Sequence, residues 1–373
     1  MSQFKNLVFE GGGVKGIAYA GALQVLEQQN ILPDIKRVAG TSAGAITAAL
    51  VALGATAKDV EEIVGGTKFL EFMDDSFGAI RDIDRLVADF GWYKGEAFSV
   101  WMQKQIYALC QDSEITFIEL SLLAAQPNSK YKELFVVSTN LTQQMPAIYS
   151  AEATPQVAIW EAVRASMSIP LFFAAIKQGP QIFVDGGVTW NYPLDLFDDK
   201  KYLSNPASGV VPDYDTVYDS NHVYNKETLG FRVDTANEIK YEKESWRTPP
   251  VEIKDFVNYL KAIVGYMGDM ANKLHLHEND WHRTIALDAA GCKATAFDLP
   301  KEKVDLLLQN GIQGATKYFE WFNDPASSPA PINRLSTSMS RCFRCAMRTN
   351  PFLSHLVYCS RLHGRHGQQA APA

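Results

Sequence analysis

The stretch at 38–44 constrains the fold of this chain more than any other. Its short apolar residues lead into a Gly-x-Ser-x-Gly turn, and a helix-forming segment, Ala45–Leu53, follows directly. This order is typical of a nucleophile elbow, a sharp strand-to-helix turn that presents a serine hydroxyl at the edge of a sheet. Gly40 and Gly44 remove the Cβ atoms that would crowd such a turn. We therefore expect Ser42 to be a nucleophile at the start of a helix, where free N–H groups favour negative charge.

A second glycine-rich motif, Gly11–Gly16, ends a strand pattern at Lys5–Glu10 and precedes a helical pattern. The free N–H groups of such a loop favour an anion. The loop lacks the Gly-Lys-Ser/Thr of a phosphate loop. It matches the glycine spacing of a dinucleotide loop, but the next strand runs into the Ser42 turn and not into an acidic residue. The better interpretation is an oxyanion hole that serves Ser42.

Lys15, within this loop, has two interpretations. It can add a fixed positive charge near the oxyanion, or it can be a solvated loop lysine.

A short apolar strand, Gln181–Val184, leads into a third motif, Asp185-Gly186-Gly187. In α/β sheets the carboxyl ends of strands carry ligands and catalytic groups. An Asx-turn is the ordinary role of Asp-Gly at a strand end. Beside Ser42, however, Asp185 is expected to be a general base or the residue that orients one.

The order Ser…Asp…His would fit the triad of α/β-hydrolases. The histidines downstream of Asp185 that could serve are His222, His275, His277 and His282, and none stands in a recognisable motif. A Ser-Asp dyad without histidine therefore stays open, in which the carboxylate takes the serine proton directly.

Taken together, the three glycine motifs resemble the patatin-like phospholipase family, over roughly Lys5–Asp195. The stretches 160–170 and 183–194 support the resemblance. It implies a three-layer α/β/α fold with a mostly parallel central sheet, in keeping with the alternation of strands and helices. It also implies Ser42 as nucleophile, Asp185 as base, and oxyanion N–H groups from Gly11, Gly12 and Gly13. The supporting residues would be Lys15, Gly16, Gly40, Gly44, Gly186 and Gly187.

The implied activity is lipid acyl hydrolysis of phospholipids or lysophospholipids through an acyl-enzyme, with no cofactor and no metal. An esterase or acyltransferase on the same dyad is an alternative, as is a catalytically silent lipid-binding module. Arg164 and Ser166 are expected to orient the sheet and Asp185. A protein activator is compatible with the sequence, which does not identify one.

The second half of the chain carries weaker signals. We expect a loop-rich excursion at 74–95 and a polar, loop-heavy insertion at 200–246. Residues 255–274 form a clear amphipathic pattern, which favours a helix packed on the sheet, with membrane contact as the alternative. A strand is predicted at 283–288. A helix at 301–322 resembles the C-terminal close of bacterial-type members of the family.

Charge and hydropathy bound the location and the partners. The net charge of −7 over 373 residues gives no argument for nucleic-acid binding. The sequence shows no secretory signal and no apolar run of transmembrane length, so we expect a cytoplasmic or peripheral membrane protein. Peripheral membrane contact is expected because the implied substrate is a lipid.

The composition changes at residue 323. The tail at 323–373 has six arginines, no lysine and one acidic residue, after a Pro/Ser-rich start. Its Cys342-x-x-Cys345 and nearby histidines invite a zinc interpretation, but their spacing matches no familiar module. We predict a catalytic domain over 1–322 and a disordered tail, which could make a basic membrane or nucleic-acid contact or be non-native sequence.

Overall fold

The computed structural model describes residues 2–72, 89–210, 221–234, 252–254, 275–294 and 296–335, together with six residues between 259 and 270. Within these ranges the strands are β1 (Asn6–Phe9), β2 (Arg37–Thr41), β3 (Gly91–Tyr93), β4 (Glu133–Asn140), β5 (Met145–Tyr149), β6 (Leu171–Phe173), β7 (Ile176–Gln178), β8 (Gln181–Asp185), β9 (Gly209–Val210), β10 (Tyr224–Asn225), β11 (Thr228–Asp234) and β12 (Thr284–Asp288).

The longer helices of the described residues are α1 (Ala18–Gln28), α2 (Ala43–Ala52), α3 (Ala57–Gly65), α4 (Glu96–Cys110), α5 (Phe117–Ala124), α6 (Ile159–Ser166) and α7 (Lys301–Asn323). Short 3-10 turns connect several of these elements, including one at Gly13–Ile17 directly after the glycine-rich loop. Across the part of the chain described here, no helix combines the length and the apolarity needed to cross a membrane.

The main sheet has the order β12-β11-β1-β2-β4-β8-β7, and β5 also pairs with β4. The neighbours from β12 to β4 are all parallel. The remaining pairs, β4 with β5, β4 with β8 and β7 with β8, are antiparallel. The predicted α/β fold with a mostly parallel sheet is therefore confirmed, with an antiparallel extension at one edge.

Both faces of the sheet are buried, which explains why its central strands read as nearly continuous apolar runs. Leu7 and Phe9 point into the large core beneath the helices. Val8 points to the other face and packs in a smaller core. The 3-10 turns Leu194–Phe197 and Lys200–Tyr202 contribute to that smaller core, so short turns as well as helices cover the sheet.

A buried ion cluster fixes these turns to the sheet. The Arg283 guanidinium makes two 2.6 Å hydrogen bonds to the Asp198 carboxylate. It also donates to Asp280 Oδ1 at 2.7 Å and lies over the Tyr224 ring. Paired in this way, the buried charges avoid the cost of an uncompensated ion, and the segment that follows Asp185 is held firmly.

The interpretation of 200–246 as loop-heavy surface was wrong for β11. This strand lies between β1 and β12, and all seven of its residues are buried. Leu229, Phe231 and Val233 alternate as a strand pattern requires. The pattern was not recognised because Arg232 and Asp234 are charged, although both are buried. The excursion at 74–95 contains β3, while residues 74–88, 211–220 and 235–246 lie outside the described residues.

Only part of the predicted helix at 255–274 is described. The six described residues between 259 and 270 are helical. Tyr259, Ile263 and Tyr266 are exposed, although we expected this apolar face to pack on the sheet. The predicted strand at 283–288 and the helix at 301–322 are confirmed as β12 and α7.

The compact unit extends beyond the predicted boundary at residue 322. It ends at Asn333. The Asn333 side chain is buried and donates to the Tyr318 hydroxyl at 3.0 Å, and its carbonyl accepts from Gln3 at 2.7 Å. Residues 336–373, including the cysteines and histidines of the zinc interpretation, lie outside the described residues.

Candidate active site

Ser42 occupies a strained turn between β2 and α2. Its φ of 54° and ψ of −124° are unusual for a residue with a side chain. A Cβ atom at residue 40 would lie 2.2 Å from the Gly44 carbonyl oxygen, and one at residue 44 would lie 2.3 Å from the Phe9 carbonyl oxygen. Both glycines are therefore required by close backbone packing, and that packing holds the strain.

Ser166, at the end of α6, holds the backbone of Ser42. The Ser42 N–H donates to Ser166 Oγ at 2.8 Å, and Ser166 Oγ donates in turn to the Val137 carbonyl. Ser166 thus contacts both the sheet, as expected, and Ser42, which was not expected. The Arg164 guanidinium donates to Ser168 Oγ, and the Ser168 carbonyl accepts the Asp185 N–H, so Arg164 reaches Asp185 through one intervening residue.

The side chains of Ser42 and Asp185 meet directly. Ser42 Oγ donates to Asp185 Oδ2 at 2.7 Å. Asp185 Oδ1 accepts the Gly187 N–H at 2.7 Å. The bond from the Gly187 N–H is the contact of an Asx-turn, and the bond from Ser42 Oγ is the contact expected of a base. Each uses a different oxygen of the Asp185 carboxylate.

An antiparallel pairing brings Asp185 to this position. The sequence argument placed it at the carboxyl edge of parallel strands, whereas β8 runs antiparallel to β4 with Ser138 opposite Asp185. The Asp185 N–H donates to the Ser168 carbonyl, which fixes the end of the strand. A Cβ at residue 186 would lie 2.3 Å from the Val137 carbonyl oxygen, so only glycine permits this approach.

Burial raises the pKa of Asp185 to about 6, although hydrogen bonds from Ser42 and Gly187 act in the opposite direction. At neutral pH the group is a carboxylate, and it is more basic than an ordinary one. A carboxylate of this kind, 2.7 Å from a hydroxyl, can accept the hydroxyl proton and return it.

The described histidines do not join this pair. His275 stacks on Trp190 with ring centroids 5.2 Å apart, and its Nδ1 lies 3.8 Å from Asp195 Oδ2. His282 Nδ1 accepts the Ile332 N–H. Within the described ranges, neither the Ser42 side chain nor the Asp185 side chain forms a hydrogen bond with a histidine.

The glycine-rich loop lies against Ser42, but it offers fewer donors than expected. A Cβ at residue 11 would lie 3.3 Å from Ser42 Cβ. The Gly11 N–H, however, donates to the Asn191 carbonyl at 2.9 Å and is not available for a ligand. The N–H groups of Gly12 and Gly13 have no acceptor among the described residues. Of the three expected oxyanion donors, the N–H groups of Gly12 and Gly13 therefore remain candidates.

Lys15 is not the solvated lysine of one interpretation, and its charge near the glycine-rich loop stays a prediction. Its Nζ donates to the Val233 carbonyl at 2.9 Å and lies 3.8 Å from Asp234 Oδ1, with the side chain largely buried. It tethers the loop to the end of β11. Gly16 belongs to the 3-10 turn Gly13–Ile17 and lets this turn approach α2, because a Cβ at residue 16 would lie 3.3 Å from Ala43 Cβ.

A cavity of about 470 Å³ lies beside this 3-10 turn. Ile17 forms part of its wall, and the segments 65–71 and 297–301 form most of the rest. Val304, in the first turns of α7, closes one side. The wall is mixed, with apolar side chains such as Ile17, Phe69 and Leu299 beside charged ones such as Lys68 and Asp298.

Comparison with known proteins places these motifs in a family context. Residues 7–198 match the family model of patatin-like phospholipases. The chain is 36% identical over 315 residues to YqhO of Bacillus subtilis, covering 82% of this chain and 94% of that protein. It is 26% identical over 198 residues to the probable lipid hydrolase 463L of Invertebrate iridescent virus 6, covering 52% of this chain and 63% of that protein.

A solved structure shares the fold. VipD of Legionella pneumophila superimposes with a TM-score of 0.52 at 18% identity, over 86% of this chain and 67% of that chain. The likeness concerns the arrangement of strands and helices. The chain spans 63% of the length of the viral relative 463L, which is less than two thirds.

Proposed function

The chain belongs to the patatin-like phospholipase family, and on that premise we propose that it is a lipid acyl hydrolase acting on phospholipids or lysophospholipids. The observation that carries the proposal is the 2.7 Å hydrogen bond from Ser42 Oγ to the buried Asp185 carboxylate. Few structural roles require a strained serine turn beside a carboxylate with a raised pKa.

In the proposed acylation step, Asp185 Oδ2 accepts the Oγ proton as Ser42 attacks the ester carbonyl. The developing oxyanion receives hydrogen bonds from the N–H groups of Gly12 and Gly13. The positive end of the α2 dipole lies at the same place. Collapse of the tetrahedral intermediate releases the alcohol, which takes the proton from Asp185.

Deacylation reverses these roles. Asp185 accepts a proton from water as the water oxygen attacks the acyl-Ser42 carbonyl. The same two N–H groups stabilise the second oxyanion. Asp185 then returns its proton to Ser42 Oγ as the fatty acid leaves, so one carboxylate serves both half-reactions.

We assign the acyl chain to the cavity beside the 3-10 turn 13–17. Gly16 of this turn approaches Ala43, the residue after Ser42, and Ile17 of the same turn lines the cavity. Val304→Trp should fill it and reduce hydrolysis of a palmitoyl ester at least tenfold relative to a butyryl ester, because losing the burial of about two CH₂ groups, at about 0.8 kcal/mol each, already accounts for a factor of ten. Leu306→Trp, on the exposed side of α7, is the matched control. An unchanged palmitoyl-to-butyryl ratio would contradict the assignment.

Peripheral membrane contact is part of the proposal. Tyr259, Ile263 and Tyr266 share one helix face and are exposed, and tyrosine suits the boundary between lipid and water. Ile263→Asp should lower binding to phospholipid vesicles and leave hydrolysis of a soluble ester unchanged. Leu122→Asp, an exposed leucine on α5, is the control. Equal vesicle binding by all three proteins would remove this surface from the proposal.

Labelling with a fluorophosphonate tests the proposed nucleophile without assuming a substrate. The native protein should be labelled at Ser42, and Ser42→Ala should not be labelled. Asp185→Asn should be labelled far more slowly, because the hydroxyl loses its base. A folded native protein that resists the reagent, or one labelled at another serine, would refute the proposal.

A further inference from the structure

Asn191 forms two hydrogen bonds with the Gly11 backbone. Its main-chain carbonyl accepts the Gly11 N–H at 2.9 Å. Its side-chain Nδ2 donates to the Gly11 carbonyl at 3.1 Å. Both peptide groups that flank the Gly11 Cα are thereby tied to one residue. A Cβ at residue 11 would lie only 2.3 Å from Asn191 Oδ1, so a side chain there would displace the amide.

The buried Glu10 carboxylate fixes which way the Asn191 amide faces. Nδ2 donates to Glu10 Oε1 at 3.3 Å as well as to Gly11. A carboxylate and a peptide carbonyl only accept hydrogen bonds, so the amide nitrogen must face them and Oδ1 must face away. Glu10 is held in turn by the Val233 N–H at 3.1 Å and by the Arg232 guanidinium, whose Nε lies 3.5 Å away.

With this orientation, Oδ1 lies beside the turn that carries the base. A Cβ at residue 187 would lie 2.9 Å from Asn191 Oδ1 and 3.0 Å from Asp185 Oδ1. The amide therefore occupies the space between the glycine-rich loop and the Asp185 turn. The two halves of the site are connected through one side chain.

Resting on the proposed function, we infer that Asn191 is a positioning residue that fixes the oxyanion loop relative to Ser42 and Asp185. The proposed donors, Gly12 and Gly13, directly follow the clamped residue. Oxyanion donors act only when they are aimed at the position that the charge will occupy. A displacement of about 1 Å can cost a hundredfold in rate, and a loop of consecutive glycines has little intrinsic stiffness to prevent one.

Asn191→Ala tests the inference with a soluble ester. It keeps the main-chain bond and removes the side-chain clamp. We expect kcat per fluorophosphonate-titrated site to fall about a hundredfold with KM nearly unchanged. Affinity for a trifluoromethyl ketone, which forms a tetrahedral oxyanion on the serine, should fall in parallel. Asn140→Ala is the matched control, because this buried amide bonds to Gln143 and Gln181, away from the loop.

Asn191→Asp separates positioning from packing. It preserves shape but places an acceptor oxygen against Glu10 and the Gly11 carbonyl. When protonated, the new carboxyl can donate as the amide did. The activity of this variant relative to the native protein should rise as the pH is lowered from about 8 to about 5.5. A side chain that merely fills space would give a constant ratio.

The outcomes distinguish this inference from the proposed function. If the native protein neither reacts with the fluorophosphonate nor hydrolyses the ester, both fail together. If the native protein is active and Asn191→Ala has a kcat per titrated site within about threefold of it, the inference alone fails. It also fails if kcat falls while ketone affinity is unchanged, or if the Asn191→Asp ratio does not depend on pH.

Discussion

The two glycine-rich turns of the site meet at Ser42, yet they are held in different ways. The turn at 40–44 is fixed by backbone packing and by neutral hydrogen bonds from the Ser42 N–H to Ser166 and from Thr41 Oγ1 to the Trp190 carbonyl. The loop at 11–16 is packed at Gly13 and is also fixed by buried charges. Lys15 is tied to β11, and Glu10 links Asn191 to the same strand.

The contacts at the turn 40–44 maintain a strained backbone, whereas those at the loop 11–16 position its N–H groups. Close packing can hold one residue in an unfavourable conformation, and Ser42 needs that to present its hydroxyl. The loop is closely packed at Gly13, where a Cβ would lie 2.0 Å from the Ala294 carbonyl oxygen. Charged side chains on β11 and the Asn191 amide add directional contacts to the rest of the loop. Substitutions at the elbow should therefore mainly affect activity, and substitutions in the charged network should mainly affect stability.

The largest effect is expected on the elbow side, from Asp185→Asn. An amide cannot take the Ser42 proton, so turnover of a soluble ester should fall by about 10⁴. His275→Ala should keep most of the activity, because this side chain contacts Trp190 and Asp195 and not the dyad. Ester turnover by purified variants checks both. A folded His275→Ala that is as inactive as Asp185→Asn would restore a triad.

On the loop side, Arg232→Met should cost the most stability. It leaves the buried carboxylates of Glu10 and Asp234 without their guanidinium partner, which typically costs about 3–5 kcal/mol of unfolding free energy. Lys58→Met removes an exposed helical ion pair and should cost about 0.5 kcal/mol or less. Urea denaturation measures both. If the two losses were equal, the charged network would not hold the loop as described.

Ser166→Ala should sharpen the comparison. It leaves the buried Ser42 N–H without an acceptor, at a cost of about 2 kcal/mol. We also expect kcat to fall about tenfold, since the Ser42 backbone loses the hydrogen bond that holds its N–H. Ser150→Ala removes a buried hydroxyl that accepts the Ala153 N–H and lies outside the elbow, so its kcat should match that of the native protein. A Ser166→Ala protein with native kcat would show that packing alone holds the elbow.

The last expected effect is the dependence of stability on pH at Asp185. Its pKa is raised from 3.8 to about 6 by burial, so ionisation of this group destabilises the folded state. Asp185→Asn should therefore be more stable than the native protein above about pH 6, by up to about 3 kcal/mol. The gain should shrink as the pH falls below about 6 and disappear below about 3, where the aspartate is protonated in both states. A gain in denaturation free energy that did not change with pH would contradict the assigned pKa.

The same pKa determines how activity depends on pH. The base must be ionised to accept the proton, so kcat of the native protein should rise with pH through about 6 and then level off.

Local motifs made much of this structure predictable. The elbow at Ser42, the strand before Asp185 and the mostly parallel sheet follow from short-range patterns of glycine and apolar residues. Glycine is informative at residue 40 because a Cβ there would collide with the next turn of the same segment. Such collisions occur within a few residues, so the sequence displays them.

Contacts between distant segments could not be predicted in the same way. Gly11 looked like an oxyanion donor because its partner, Asn191, lies 180 positions further along. The strand β11 was missed because Arg232 and Asp234 are charged, and their burial becomes acceptable through ion pairs with each other and with Glu10 and Lys15. The alternation of helices and strands predicted a mostly parallel sheet, but it does not report the direction of a single strand such as β8, which is antiparallel to β4. Ser166 offered no signal beyond its place near the end of a helix.

The central claim is that Ser42 and Asp185 hydrolyse lipid acyl esters. We would first measure fatty-acid release from vesicles of mixed phospholipids and lysophospholipids, comparing the native protein with Ser42→Ala. The account predicts release by the native protein and none by the variant, with both proteins folded. Equal release by the two proteins, or none from a native protein that is folded, would contradict it.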